Sequence, residues 1–157
     1  MQKQQSELKK EYKILKSKYN LPSFEYFDSE FDIGKIEAEK IKSLPKELLR
    51  CVVSKIVIFL NYFEPVLGPP QTVHSAIEIS NLSDSDKKGV FKLFKKLAHL
   101  YHLGVAAELG TENEMIGFIN NVLGSWKELK NETKNYLVKI GDTYTKEKVE
   151  KIDRYIS

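Results

Sequence analysis

The chain predicts an all-α fold, an antiparallel bundle of three to five helices with short capping helices between the longer ones. Three observations predict it. Apolar residues recur at alternating steps of three and four in four separate segments. No stretch alternates with period two between hairpin turns. Helix-breaking punctuation falls at Asn20-Leu21-Pro22-Ser23, Ser43-Leu44-Pro45, Gly68-Pro69-Pro70, Gly110-Thr111 and Gly141-Asp142. With 157 residues, 41% of them hydrophobic and 30% charged, the chain is long enough to bury its own core and is expected to form a single domain over residues 1–157.

The first helix is expected over residues 1–20, where Leu8, Tyr12, Leu15 and Tyr19 share a face. It is the least apolar of the four, which makes it the one to pack peripherally, fray or swap between copies. A short helix follows around 23–31. Its Phe24, Phe27 and Phe31 stand at i, i+3 and i+7, and Glu25, Asp28, Glu30 and Asp32 make it the most acidic part of a basic chain. The ordinary reading is a clamp of three rings holding the helix to the bundle while the acids meet lysines; the functional alternative is an acidic aromatic docking motif.

Ser43 ahead of Leu44-Pro45 starts the third helix with proline in its first turn, where a missing donor costs nothing. Its seam is Leu49, Val52, Ile56, Phe59, Phe63 and Val66. A second short helix is expected near 71–80. Asp84 and Asp86 then favour the positive end of a long helix whose seam is read as Val90, Phe94, Leu97 and Tyr101. The last long helix, from 112 to 140, opens on Thr111-Glu112-Asn113-Glu114, which has capping-box spacing. It steps through Met115, Ile119, Val122, Trp126, Leu129, Thr133, Tyr136 and Ile140. Gly104 and Gly124, inside helical patterns, each cost up to about 1 kcal/mol against alanine and are expected to mark close helix approach.

The formal charge is +3, carried by 23 lysines and only two arginines, Arg50 and Arg154. Lysine is a hydrated point charge without the planar fork of arginine, so the chain is weakly suited to reading bases. The abundance of Lys, Ile, Asn, Tyr and Phe is also what AT-rich coding produces, and accounts for much of the basicity. Cys51 is the only cysteine, which excludes an internal disulfide and any thiolate zinc cluster and is what a reducing cytosol permits. The N-terminal segment has no apolar signal region, and the run from Val52 is broken by Lys55 and is short of a membrane span. A cytoplasmic protein without membrane contact is expected.

Glycine-rich phosphate loops, a G-x-S-x-G elbow and an H-E-x-x-H pair are all missing from the sequence. Cys51 beside the seam residue Val52 reads as a small hydrophobe with a raised pKa rather than a nucleophile. No catalytic residue and no cofactor are assigned. Two constellations remain. In one, Lys88, Lys92, Lys95, Lys96, His99 and His102 gather on one face of the long helix opposite Phe94, Leu97, Ala98, Tyr101 and Val105, making a strip that would attract nucleic-acid phosphate or an acidic partner. In the other, His99 and His102 join His74 and Glu78 as metal ligands, although the surrounding lysines would repel a cation. The bland readings are a solvated charged face and ordinary surface histidines.

The combination of LPSFEYFDSEF, ELLRCVVSKIVIFLNYFEPVL and FKLFKKLAHLYHLG resembles small uncharacterised helical proteins of archaea and related uncultured lineages, over residues 10 to 140. The resemblance implies an intracellular, mainly helical protein and carries no activity, cofactor or catalytic residue with it. The leading expectation is therefore a non-enzymatic helical interaction or assembly module, partnered by a second copy or by another protein. Nucleic-acid or ribosome association through the lysine strip is the alternative, and a metal-binding bundle the third.

Overall fold

A computed structural model describes residues 2–37 and 41–145, and the final segment expected after Asp142 lies outside the described residues beyond Thr145. Among the described residues there are six α-helices and no strand: α1 Gln2–Tyr19, α2 Phe24–Phe31, α3 Leu44–Leu67, α4 Val73–Asn81, α5 Asp84–Glu108 and α6 Glu112–Asp142. Four are long, and the two short ones stand where capping helices are expected. The fold is an all-α helical bundle.

The helix ends obey local chemistry. Asn20, at φ 53°, takes the left-handed conformation that closes α1, and the Leu21 amide donates back to the Lys16 carbonyl at 3.3 Å. Ser23 caps α2 by accepting the Tyr26 amide at 3.2 Å, and Asp32, at φ 58°, ends it. At the start of α6 the expected capping box is complete. The Glu114 amide donates to Thr111 Oγ1 at 3.3 Å and the Thr111 amide to Glu114 Oε2 at 2.6 Å. A second box not read from the sequence, Thr72 with Ser75, does the same work ahead of α4, and ahead of α5 Ser83 caps by accepting the Asp86 amide at 3.1 Å while its hydroxyl donates to Asp86 Oδ2 at 2.6 Å.

The described residues gather into two compact units, those up to Ile56 with 101–124, and 57–100 with 125–145. In the first unit α1 and α2 pack through rings. Tyr12 meets Phe24 edge-on at 5.4 Å and lies 6.0 Å from Phe27, and its hydroxyl donates to the Pro22 carbonyl at 3.1 Å. Leu8 and Tyr12 are both buried, as are Phe24, Phe27 and Phe31. The three rings are thus the expected clamp, and the acids around them meet lysines: Glu25 pairs with Lys9 at 3.3 Å and Asp32 with Lys35 at 2.9 Å. In the same unit Arg50 and Lys46 of α3 share Glu108 of α5, at 2.9 and 3.4 Å. Farther along the same pair of helices, a Cβ built on Gly104 would stand 2.5 Å from Val53 Cγ2 and 3.0 Å from a Phe118 ring carbon. Gly104 is therefore the close approach that its place in a helix predicts. Gly124 is not: it is exposed, with nothing within 4 Å of a Cβ built there.

In the second unit Trp126 stacks on Phe59 at 5.2 Å with the rings 7° from parallel. Helices α5 and α6 run antiparallel here, because Asp86 pairs with Lys139 while Lys96, nearly three turns on, pairs with Glu132 at 3.1 Å. A Cβ on Gly89 would overlap the Tyr136 hydroxyl between them. The turn Thr143–Thr145 packs on α4, where Asn81 Nδ2 donates to the Thr143 carbonyl at 3.2 Å.

Three of the four seams are placed as read. All six residues of the α3 seam are buried, and along α6 only Tyr136 is partly open. The α1 seam is buried from Leu8 to Leu15. The α5 seam is rotated. Its buried residues are Val90, Leu93, Leu97 and Gly104, whereas Phe94, Ala98 and Tyr101 are half-buried and Val105 is exposed. Two three-four stripes overlap in this helix. The one carrying glycine turns inward, because a residue without a side chain admits Val53 and Phe118 where Val105 would hold them off.

Candidate functional site

Between Asp86 and Glu108 the sequence of α5 has no acid, while Lys87, Lys88, Lys92, Lys95 and Lys96 fall within that span. The helix is amphipathic, so these lysines turn to solvent: Lys88, Lys92, Lys95, Lys96 and His99 are all exposed. Their surroundings differ. Lys96 is neutralised across the helix pair by Glu132, and Lys87 reaches the largely exposed Asp84 at 3.9 Å. Lys95 lies over the Phe91 ring, 5.8 Å from its centroid. Lys88 and Lys92 have no carboxylate within ion-pair distance among the described residues. All four lysines of the strip are exposed, and among the described residues three of them have no carboxylate within ion-pair distance.

The ring beneath Lys95 is the residue that sequence reading overlooked. Phe91 is 53% exposed, a large apolar surface in the middle of a charged face. With Phe94 and Ala98, both half-buried, it makes a second apolar stripe at i, i+3 and i+7 beside the core seam. Spacing alone could have proposed this stripe, but only the inward rotation of the Gly104 face shows that it is left open.

His74 and Glu78, one turn apart on α4, are joined through Tyr144: the phenol donates to Glu78 Oε1 at 2.6 Å and lies 3.3 Å from His74 Nδ1. Burial and then the hydrogen bond to Glu78 push the Tyr144 hydroxyl up to about 12. The two predicted ligands therefore hold the Thr143–Thr145 turn against α4. His99 and His102 are exposed on α5, His102 with its ring beside Tyr101. Among the described residues no group of three or more His, Cys, Asp or Glu side chains is arranged to hold a metal ion.

Cys51 is half-buried at the wall of a cleft of about 360 Å³ with Asp32, Lys35 and Glu47. Burial, reinforced by the charges of Glu47, Asp32 and Asp28, pushes its thiol up to about 11, so little thiolate forms near neutrality. A second cleft, about 470 Å³, lies between the end of α3 and the start of α4, lined by Glu64, Pro65, Gln71, Thr72 and Ser75. Ser75 there is committed to its capping box. No helix among the described residues is long and apolar enough to cross a membrane. No family model, no curated protein and no solved structure matches the chain.

Proposed function

We propose that the protein is a non-enzymatic helical interaction module that recognises another protein through the solvent face of α5. The observation that carries this reading is the pairing on one face of an apolar stripe, Phe91, Phe94 and Ala98, with lysines that no acid of the described chain neutralises. A recognition face needs an apolar anchor ringed by charge, and Phe91 with its neighbouring lysines has that form. With one cysteine in the chain no internal disulfide can form, which suits a reducing compartment, the cytoplasm.

A second reading, single-stranded nucleic acid, is favoured by Lys88 and Lys92, whose charges are free to meet phosphate, with Phe91 as a stacking platform. Arginine is missing from α5, and Phe91 is the one exposed phenyl ring of that helix, so the protein reading is the better supported.

The test is native mass spectrometry and light scattering on untagged protein from its own host, run beside a Phe91→Ser, Lys88→Glu double variant with unchanged helical circular dichroism. The expected result is a heteromer of one defined mass that the variant loses. A monomer in both samples at tens of micromolar would refute the proposal.

A further inference from the structure

We infer that the occupant of the α5 face is an amphipathic helix of another protein chain, with an apolar seam and glutamate or aspartate along one edge; this rests on the reading above and names its partner. The inference comes from register. At about 100° per residue Phe91, Phe94 and Ala98 fall within an arc of about 60° and step by three and four, the spacing at which one helix meets another along its length. Ala98 is small and half-buried, so a second helix can approach there, and Phe91 supplies a knob one to two turns away.

The stripe has two unlike edges. On its inner edge stand Val90 and Leu97, both fully buried in the core. On its outer edge stand Lys88 and Lys95, seven residues apart and so nearly in line along the helix, both exposed. Lys95 lies against the Phe91 ring, which keeps its ammonium beside the stripe. Lys92 and Lys96 lie about 100° and 140° round from Phe91, beyond that edge. Lys87, one turn before Phe91 and in line with the stripe, is already paired with Asp84, so a helix seated on the stripe would meet the cations left without an acid, Lys88 and Lys95, on one side and at a seven-residue interval. Charge complementarity then calls for acids at the matching interval.

This geometry separates a helix from a polyanion. Counterion release responds to the number of cations more than to their register, so nucleic acid would use Lys92 as readily as Lys88. A docked helix would use Lys88 and Lys95 and leave Lys92 and Lys96 in solvent.

The experiment uses the full chain and three labelled probes read by fluorescence anisotropy: a stapled amphipathic helix with a leucine seam and glutamate flanks, the same helix with lysine flanks, and a single-stranded uridine 20-mer. The expected result is micromolar binding of the acidic helix, at least about tenfold tighter than the lysine-flanked one. Phe91→Ser and the pair Lys88→Glu/Lys95→Glu should each weaken it by at least about tenfold, and Lys92→Glu/Lys96→Glu by less than about threefold. Unchanged helicity and melting temperature in each variant keep a folding defect from passing for a binding one. Tighter binding of the oligonucleotide, lost equally through Lys92 and Lys88, would overturn the helix partner and leave α5 as a nucleic-acid surface. Failure of all three probes to bind below about 1 mM would overturn the α5 face itself.

Discussion

Two glycines inside helices should respond to the same substitution in opposite directions. Replacing glycine by alanine in a helix interior gains about 1 kcal/mol, through lower unfolded-chain entropy and better helix propensity. At Gly124 nothing lies within 4 Å of the new methyl, so the full gain should appear, raising Tm by about 3 °C for a chain of this size. At Gly104 the methyl would stand 2.5 Å from Val53 Cγ2 and 3.0 and 3.1 Å from two Phe118 ring carbons. Overpacking of this kind costs about 1–3 kcal/mol, which offsets the propensity gain and leaves a net loss of about 1 kcal/mol. The two variants should therefore differ by about 2 kcal/mol, read by urea unfolding with circular dichroism. Val53→Ala removes the nearer obstruction, so Gly104→Ala should be better tolerated in that background, a favourable coupling of about 1 kcal/mol. If Gly104→Ala stabilises as much as Gly124→Ala, or if Val53→Ala brings no relief, the close approach of α3 and α5 at Gly104 is wrong.

Three further outcomes follow from particular groups. Thr133 sits buried on the α6 seam with a hydroxyl that finds no partner among the described residues, so Thr133→Val, which keeps the shape and removes that group, should stabilise the chain by about 1 kcal/mol; a loss of stability in the same urea assay would show that the hydroxyl is satisfied. Cys51, with its thiol near 11, should be alkylated by iodoacetamide at pH 8 about a hundredfold more slowly than a free cysteine, and labelling at the rate of a model thiol would contradict that environment. The carboxyls of Glu108, held down by Arg50, and of Glu112, held down first by the Tyr19 hydroxyl and then by Lys18, both lie below the ordinary range. A depressed carboxyl stabilises above its unfolded pKa and loses that contribution as pH falls through the folded one, so stability should decline from about pH 4 downward. Glu108→Gln and Glu112→Gln should each flatten that decline in acid titrations of Tm, and an unchanged acid limb would show that the pairs are idle in solution.

The helices, most of their boundaries and three of four seams were legible in the sequence, because a heptad pattern states which residues must leave water and a cap states where hydrogen bonding begins. Ser43-Leu44-Pro45, Thr111 through Glu114 and the three phenylalanines of α2 each carry their own physical reason, and each is found doing what that reason requires. The lysine strip was legible for the same cause, since an amphipathic helix must present its charges to solvent. What tertiary structure decided was the rotation of α5 and the company each charge keeps. Two apolar stripes compete in that helix with nearly equal claims, and the winner was chosen by how closely Val53 and Phe118 can approach Gly104. That choice exposes Phe91. Likewise Lys88, Lys92 and Lys96 are alike in sequence, and only the arrival of Glu132 from another helix distinguishes the neutralised lysine from the free ones. His74 and Glu78 show the same limit, brought together by Tyr144 from 66 residues away. Local spacing carries propensity and burial; pairings between distant segments depend on packing distances that no local pattern contains.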